Sequence, residues 1–133
     1  MAWAVGETSE YEELAEALTY GLLWVAEASD SIQGFLLAGR WGEHFLIWEV
    51  AVDQRFRGQR VGAALVDTAC AEASRRGFAM VALTTDRTLP WNAPLYARLG
   101  FEILEPEHAP VDLQQLLSEE RNPHLRCLMQ RPT

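Results

Sequence analysis

The chain has 133 residues, 49% of them hydrophobic, and a formal net charge of −8, a size that suits one domain spanning 1–133 with roughly two-thirds of its unfolded surface buried on folding. The acidity argues against nucleic acid or an anionic membrane as main partner, and fits either attraction of a cationic amine or ordinary solubility charge. All 11 basic residues are arginine, which excludes a Walker-type phosphate loop and Schiff-base chemistry, since both need a lysine.

Taken in chain order, Thr8 or Ser9 caps a first helix, with Glu10, Glu12 and Glu13 in its opening turn and Gly21 at its end. Leu14, Ala17 and Leu18 form its apolar stripe. Ahead of it only Met1–Val5 is available as an edge strand, and an edge left open invites pairing between subunits, so a homodimer is expected as one solution. Leu22 to Glu27 reads as a strand, residues 28–31 as a turn, Ile32 to Arg40 as a second strand, and His44 to Val52 as a third. These three strands predict an antiparallel meander. A helix comes next over about Arg60 to Arg76, with Val61, Ala64, Leu65, Thr68 and Ala69 as its apolar stripe. Arg75, Arg76 and Gly77 end it with cations and a left-handed cap. Phe78 to Thr84 is a buried strand, and the link from Val52 through the helix is the crossover long enough to set two strands parallel. A short helix near Ala93 to Leu99, a strand from Phe101, a helix near Val111 to Glu120 and a strand near Leu125 to Gln130 complete the chain.

Between the third strand and the long helix lies Asp53-Gln54-Arg55-Phe56-Arg57-Gly58-Gln59-Arg60-Val61-Gly62. A turn of this kind aims unpaired backbone N–H groups at one spot, where the helix dipole adds partial positive charge; that makes a pyrophosphate cradle. Gly58 and Gly62 let the backbone approach a ligand, and Arg57 and Arg60 add cationic donors. No G-x-G-x-x-G follows a strand, which disfavours a dinucleotide-binding domain. Further along stands Leu95-Tyr96-Ala97-Arg98-Leu99-Gly100-Phe101.

These two segments resemble the GNAT superfamily of acetyl-CoA-dependent N-acetyltransferases: the first its Q/R-x-x-G-x-G/A pyrophosphate motif, the second its L-Y-x-x-L-G-F signature. The resemblance spans roughly residues 20 to 131. It implies an α/β fold with a mixed, mostly antiparallel central sheet flanked by helices, here with a shortened N-terminal region. It implies acetyl-CoA as co-substrate, without a metal, and acetyl transfer to a primary amine, of a small molecule or a protein, by direct attack. The backbone of Val50, Ala51 and Val52 would pair with the pantetheine arm, with the Val52 N–H as oxyanion donor. Arg57, Gly58, Gln59, Arg60, Val61, Gly62 and Ala63 would hold the pyrophosphate. The fourth motif position, commonly Gly, is Arg60; the backbone N–H survives that change, and the cradle works provided φ stays negative.

On the chemical side, the resemblance makes Tyr96 the acid for the departing thiolate; the alternative is a core aromatic beside Leu99 and Phe101. Glu49 interrupts the apolar run Phe45–Trp48, and a carboxylate in a central strand is costly unless paired. It is either a general base or amine anchor, or it is an ion-pair partner of Arg40 or a solvated rim residue. The family's usual Glu, twelve residues before the tyrosine, is replaced by Thr84, and the usual Asn, seven before it, by Leu89. Those departures motivate an alternative function, a non-catalytic CoA- or acyl-CoA-binding module of the same fold. Trp91 walls an amine pocket or plugs the core, while Asn92 caps the short helix and Pro94 opens it. His44, His108 and His124 lack metal-ligand spacing, with His44 a secondary candidate base. Cys70 and Cys127 read as small core residues, and with no signal peptide or bilayer-length apolar stretch in the sequence a reducing cytoplasm is the expected compartment.

Overall fold

In the computed structural model the residues described are 21–28, 31–87, 92–120 and 123–133. The expected edge strand at 1–5, the first helix, and Leu89 and Trp91 lie outside them. The alternating apolar residues after Gly21 form β1 (Leu22–Ala28), β2 (Ser31–Trp41) and β3 (His44–Val52). After the turn come α1 (Val61–Arg75), β4 (Met80–Asp86), α2 (Asn92–Arg98), β5 (Glu102–Leu104), α3 (Val111–Glu119) and β6 (Arg126–Pro132). The strands make one six-stranded sheet in the order β1-β2-β3-β4-β6-β5. Every neighbouring pair is antiparallel except β3 with β4. The expected meander is present, as is the crossover through α1 that sets the one adjacent parallel pair; a second connection, from β4 through α2 to β5, passes over the place that β6 fills.

The sheet buries both faces. On one side α1 contributes Val61, Leu65, Val66, Ala69, Cys70 and Ala73 to a core with Leu36, Phe45, Ile47, Val50 and Val52. The expected helical stripe is therefore rotated. Val61, Leu65 and Ala69 lie on its axis, but Ala64 and Thr68 are exposed, and the Thr68 hydroxyl donates to the Ala64 carbonyl at 2.8 Å. Val66, Cys70 and Ala73 take the inward places, since they too return at helical spacing. On the other face Leu113 and Leu117 of α3 pack with Leu46, Ala82 and Leu128.

β4 starts two residues later than the sequence suggests because the end of α1 is longer than its last turn. Gly77, at φ +90°, donates to the Ser74 carbonyl at 3.0 Å, and the Phe78 N–H donates to the Ala73 carbonyl at 2.9 Å. Phe78 thereby belongs to the helix cap, the 6→1 and 5→2 pairing of a Schellman motif.

Two features of β3 set up the functional region. Across from β2 the register passes from Leu37–Glu49 to Ala38–Ile47, leaving Trp48 as an inserted residue. Such a bulge reverses the inward–outward alternation of everything beyond it. Phe45 and Ile47 face α1 before the bulge, Val50 and Val52 after it, so Glu49 is turned away from the α1 core. Gly39 makes room, for a Cβ there would come within 2.9 Å of the Trp48 ring. The second feature is a divergence. β3 pairs with β4 only at Phe45–Val81 and Leu46–Ala82, and beyond that seam the two strands part.

Candidate active site

The parting of β3 and β4 opens a small cleft lined by Ile47, Trp48 and Glu49 from β3, Leu83 and Thr84 from β4, and Tyr96 from α2. Two side chains singled out in the sequence, Glu49 and Tyr96, are brought together here although they come from elements far apart in the chain. Tyr96 is 4% exposed and meets the Phe101 ring edge-on at 5.9 Å between centroids. It is thus both a core aromatic and a wall of the cleft. The Leu99 and Phe101 N–H groups donate to its carbonyl at 2.9 and 3.0 Å, which is how the L-Y-x-x-L-G-F sequence fixes the tyrosine: Gly100, at φ +97°, folds the chain back so that Phe101 braces the ring.

Glu49 is 7% exposed, which removes the solvated-rim alternative. The ion pair with Arg40 is also corrected. The register sets Glu49 opposite Leu37 and Arg40 opposite Phe45, and the Arg40 guanidinium lies over the Phe78 ring, 5.3 Å from its centroid. His44 is set apart from the cleft: its Nε2 lies 2.9 Å from a carboxylate oxygen of Asp112. Glu43 N–H also donates to that carboxylate, at 3.2 Å, and the Trp41 indole donates to the Asp112 carbonyl at 2.8 Å. Together these clasp the β2–β3 hairpin to the start of α3. Burial opposes ionisation of Asp112, but the Glu43 N–H and the neighbouring His44 outweigh it and hold its carboxyl below the usual range.

From the cleft, β3 continues through Val50, Ala51 and Val52, all buried, into the turn. Asp53, a residue that neither motif marks, governs the shape of that turn. It is 2% exposed and accepts from the Arg55 backbone at 3.0 Å and from the Arg55 guanidinium at 3.0 and 3.3 Å. The hydrogen bonds from the Arg55 side chain and then its backbone keep the Asp53 carboxyl below its ordinary value. The signal was present as Asp-x-Arg, an Asx turn in which an aspartate caps the backbone two residues on. A 3-10 turn at Gln54–Phe56 leads into Gly58, at φ +83° and with open space where a Cβ would stand.

Arg60 departs from expectation. Its φ is +63°, ψ 24°, a left-handed conformation, not the negative φ assumed for a residue with a side chain. The position retains the backbone shape that suits glycine, at a cost of roughly 1–2 kcal/mol for an L-residue. Arg60 is also the N-cap of α1 without a side-chain cap bond, and the first N–H of the helix to find an intrahelical partner in it is that of Ala64, at 3.0 Å. The N–H groups of Val61, Gly62 and Ala63 thus stand at the positive end of a fifteen-residue helix. Arg57, Gly58, Gln59 and Arg60 are exposed around that end. Shape and charge here fit a pyrophosphate.

On β4 the Thr84 hydroxyl donates to Glu120 at the end of α3, at 2.6 Å. Arg126 of β6 donates to the Thr84 hydroxyl at 2.9 Å and to its carbonyl at 3.2 Å, and lies 3.8 Å from the Glu120 carboxylate. Neither Glu120 nor Arg126 carries a signal in the linear sequence that ties it to Thr84. Cys70 and Cys127 are buried free thiols outside the cleft lining, and burial pushes the Cys70 thiol up. Among the described residues, no group of three or more His, Cys, Asp or Glu is arranged to hold a metal ion, and no helix is long and apolar enough to cross a membrane.

Comparison with known proteins agrees with this architecture. Residues 19–103 match the family described as acetyltransferase (GNAT) domain. Among solved structures, the fold is similar to a GNAT family acetyltransferase from Elizabethkingia anophelis with acetyl-CoA bound, at TM-score 0.72 and 20% identity, covering 93% of this chain and 84% of that one. It is similar to the ribosomal-protein-S18-alanine N-acetyltransferase from Escherichia coli, at TM-score 0.68 and 20% identity, covering 93% and 77%. A Bacillus subtilis acetyltransferase in complex with CoA gives TM-score 0.71 at 18% identity, covering 98% and 97%. These identities speak for the fold; the family match covers more than half of the chain, and the chain belongs to the GNAT family of acetyltransferases.

Proposed function

We propose that this acetyltransferase moves the acetyl group of acetyl-CoA to a primary amine by direct attack. The observation that carries the reading is the continuity of one strand. β3 leaves the cleft that holds Glu49 and Tyr96 and runs through Val50–Val52 into the N-terminal end of α1. A pyrophosphate held by residues 57–63 would direct the pantetheine arm along Val50, Ala51 and Val52 toward that cleft. Related folds hold acetyl-CoA or CoA in their structures, which supports the same donor here.

In this reading Glu49 anchors the amine by its charge, in surroundings where burial strengthens the attraction. The amine nitrogen bonds to the thioester carbonyl carbon, the Val52 N–H stabilises the oxyanion, and the carbon–sulfur bond breaks as the oxyanion collapses to the amide carbonyl. The Tyr96 hydroxyl donates its proton, or a strong hydrogen bond, to the departing thiolate. A phenol titrates near ~10 and a thiol near ~8.5, so partial transfer is the favoured description. A covalent acyl-enzyme is disfavoured because both thiols lie in the core, away from the cleft.

The test is release of free CoA from acetyl-CoA with spermidine, tyramine, glycinamide and an alanine-initiated peptide as acceptors. Release that depends on added amine is the expected result. Acetyl-CoA binding with no turnover on any acceptor would favour the non-catalytic CoA-binding module instead.

A further inference from the structure

Direct attack requires a destination for the amine proton, and Thr84, where the family usually has a carboxylate, is no base. Across space the fold places a carboxylate against it: Glu120 Oε1 accepts from Thr84 Oγ1 at 2.6 Å, the two residues lying 36 positions apart. A threonine hydroxyl has one proton to donate and two lone pairs. Here the proton goes to Glu120, and one lone pair accepts from Arg126 Nη2 at 2.9 Å. The other is left for an N–H entering the cleft that Thr84 lines. Arg126, 15% exposed at its side chain, places its Nε 3.8 Å from the second oxygen of Glu120, an electrostatic contact longer than a hydrogen bond that adds to the bond from Thr84. The Glu120 side chain is 28% exposed, which gives a route to solvent.

We propose that Glu120, acting through the Thr84 hydroxyl, is the proton acceptor of the transfer reaction, with Arg126 as its positioning residue. The inference rests on the proposed amine acetylation. As nitrogen bonds to the thioester carbon it becomes positively charged and its N–H acidic. That proton passes to Thr84 Oγ1 while the hydroxyl's own proton passes to Glu120 Oε1. Thr84 ends unchanged, Glu120 ends neutral and returns the proton to water, and the thiolate is served separately by Tyr96. The two carboxylates then divide the work: Glu49 holds the amine, whose ammonium form has first given up one proton to water, and Glu120, beside Thr84, receives the proton released on attack.

The experiment measures kcat and KM on whichever of spermidine, tyramine, glycinamide and the alanine-initiated peptide turns over fastest. The Glu120→Gln variant keeps an oxygen able to accept from Thr84 but cannot take a proton, and it should lose about 100-fold in kcat with KM and acetyl-CoA affinity unchanged. Adding Thr84→Glu to that variant returns a carboxylate to β4 and should recover roughly tenfold or more of the loss. Thr84→Ala alone, which cuts the relay and leaves Glu120 in place, should lower kcat comparably. A kcat within about twofold of wild type in Glu120→Gln or in Thr84→Ala would overturn the assignment. So would a loss confined to KM, or a loss that the second carboxylate does not relieve. Wild-type protein that turns over no acceptor would overturn the parent reading and this one together, whereas turnover that survives Glu120→Gln overturns this one alone.

Discussion

At the scale of single residues, Tyr96 and Arg60 show two ways in which a motif residue relates to its surroundings. Tyr96 was legible from its spacing to Leu99, Gly100 and Phe101, because the backbone bonds that set it are local. Replacing it by Phe retains the edge contact with Phe101 and removes only the hydroxyl. Turnover is expected to fall by roughly 10²-fold or more with acetyl-CoA affinity nearly intact; a steady-state assay beside a binding titration checks both, and unchanged turnover would remove the acid role. Arg60 was legible as a departure, but its φ of +63° was not. Side-chain identity argues for a negative φ there, and the need of the chain to enter α1 from Gly58 overrides that preference. Glu120 was illegible for a plainer reason: no periodicity or turn relates position 120 to position 84, and only the packing of α3 against the sheet brings them into contact.

Among the elements, strands and helices followed from apolar spacing and cap residues, while ends and phases did not. The Schellman cap that absorbs Phe78 and the bulge at Trp48 are products of neighbouring chain; the cap moved the start of β4 by two residues, while the bulge left the expected bounds of β3 intact and changed only which way its residues face. The bulge has the larger effect because it decides which face of β3 receives Glu49. The turn between β3 and α1 depends in the same way on a buried residue. The Asp53 carboxylate is bound by Arg55 and its pKa is lowered from the ordinary 3.8. A carboxylate whose folded pKa lies below its unfolded one adds stability above the unfolded value, and that stability is lost as pH falls through the folded value. Asp53→Asn should therefore melt below wild type at neutral pH, with the gap closing once the medium is more acidic than the ordinary aspartate range. Thermal unfolding followed by circular dichroism across that range checks it, and a gap that widens in acid would refute the role given to the ion pair.

For the whole molecule, the net charge of −8 opposes a polyanionic donor at long range, so binding has to come from local geometry at the head of α1. A ligand that binds only the folded state at a hundredfold over its Kd adds about 2.7 kcal/mol, or a rise of roughly 10 °C in melting temperature for a chain of this size. Acetyl-CoA is expected to produce that rise, and NAD and ATP far less; the reverse order in a thermal-shift comparison would contradict the proposed donor. The order of the sheet also bears on how the protein can change. Because β3 and β4 are joined only at Phe45–Val81 and Leu46–Ala82, the donor side is drawn from one unbroken stretch of chain before the seam. The surface around Thr84, Glu120 and Arg126 is assembled from segments after it. In the proposed reaction the amine anchor Glu49 shares β3 with the donor cradle, so exchange of residues on the β4–β6 leaf is expected to retune deprotonation while the nucleotide-facing stretch and that anchor pass through unaltered.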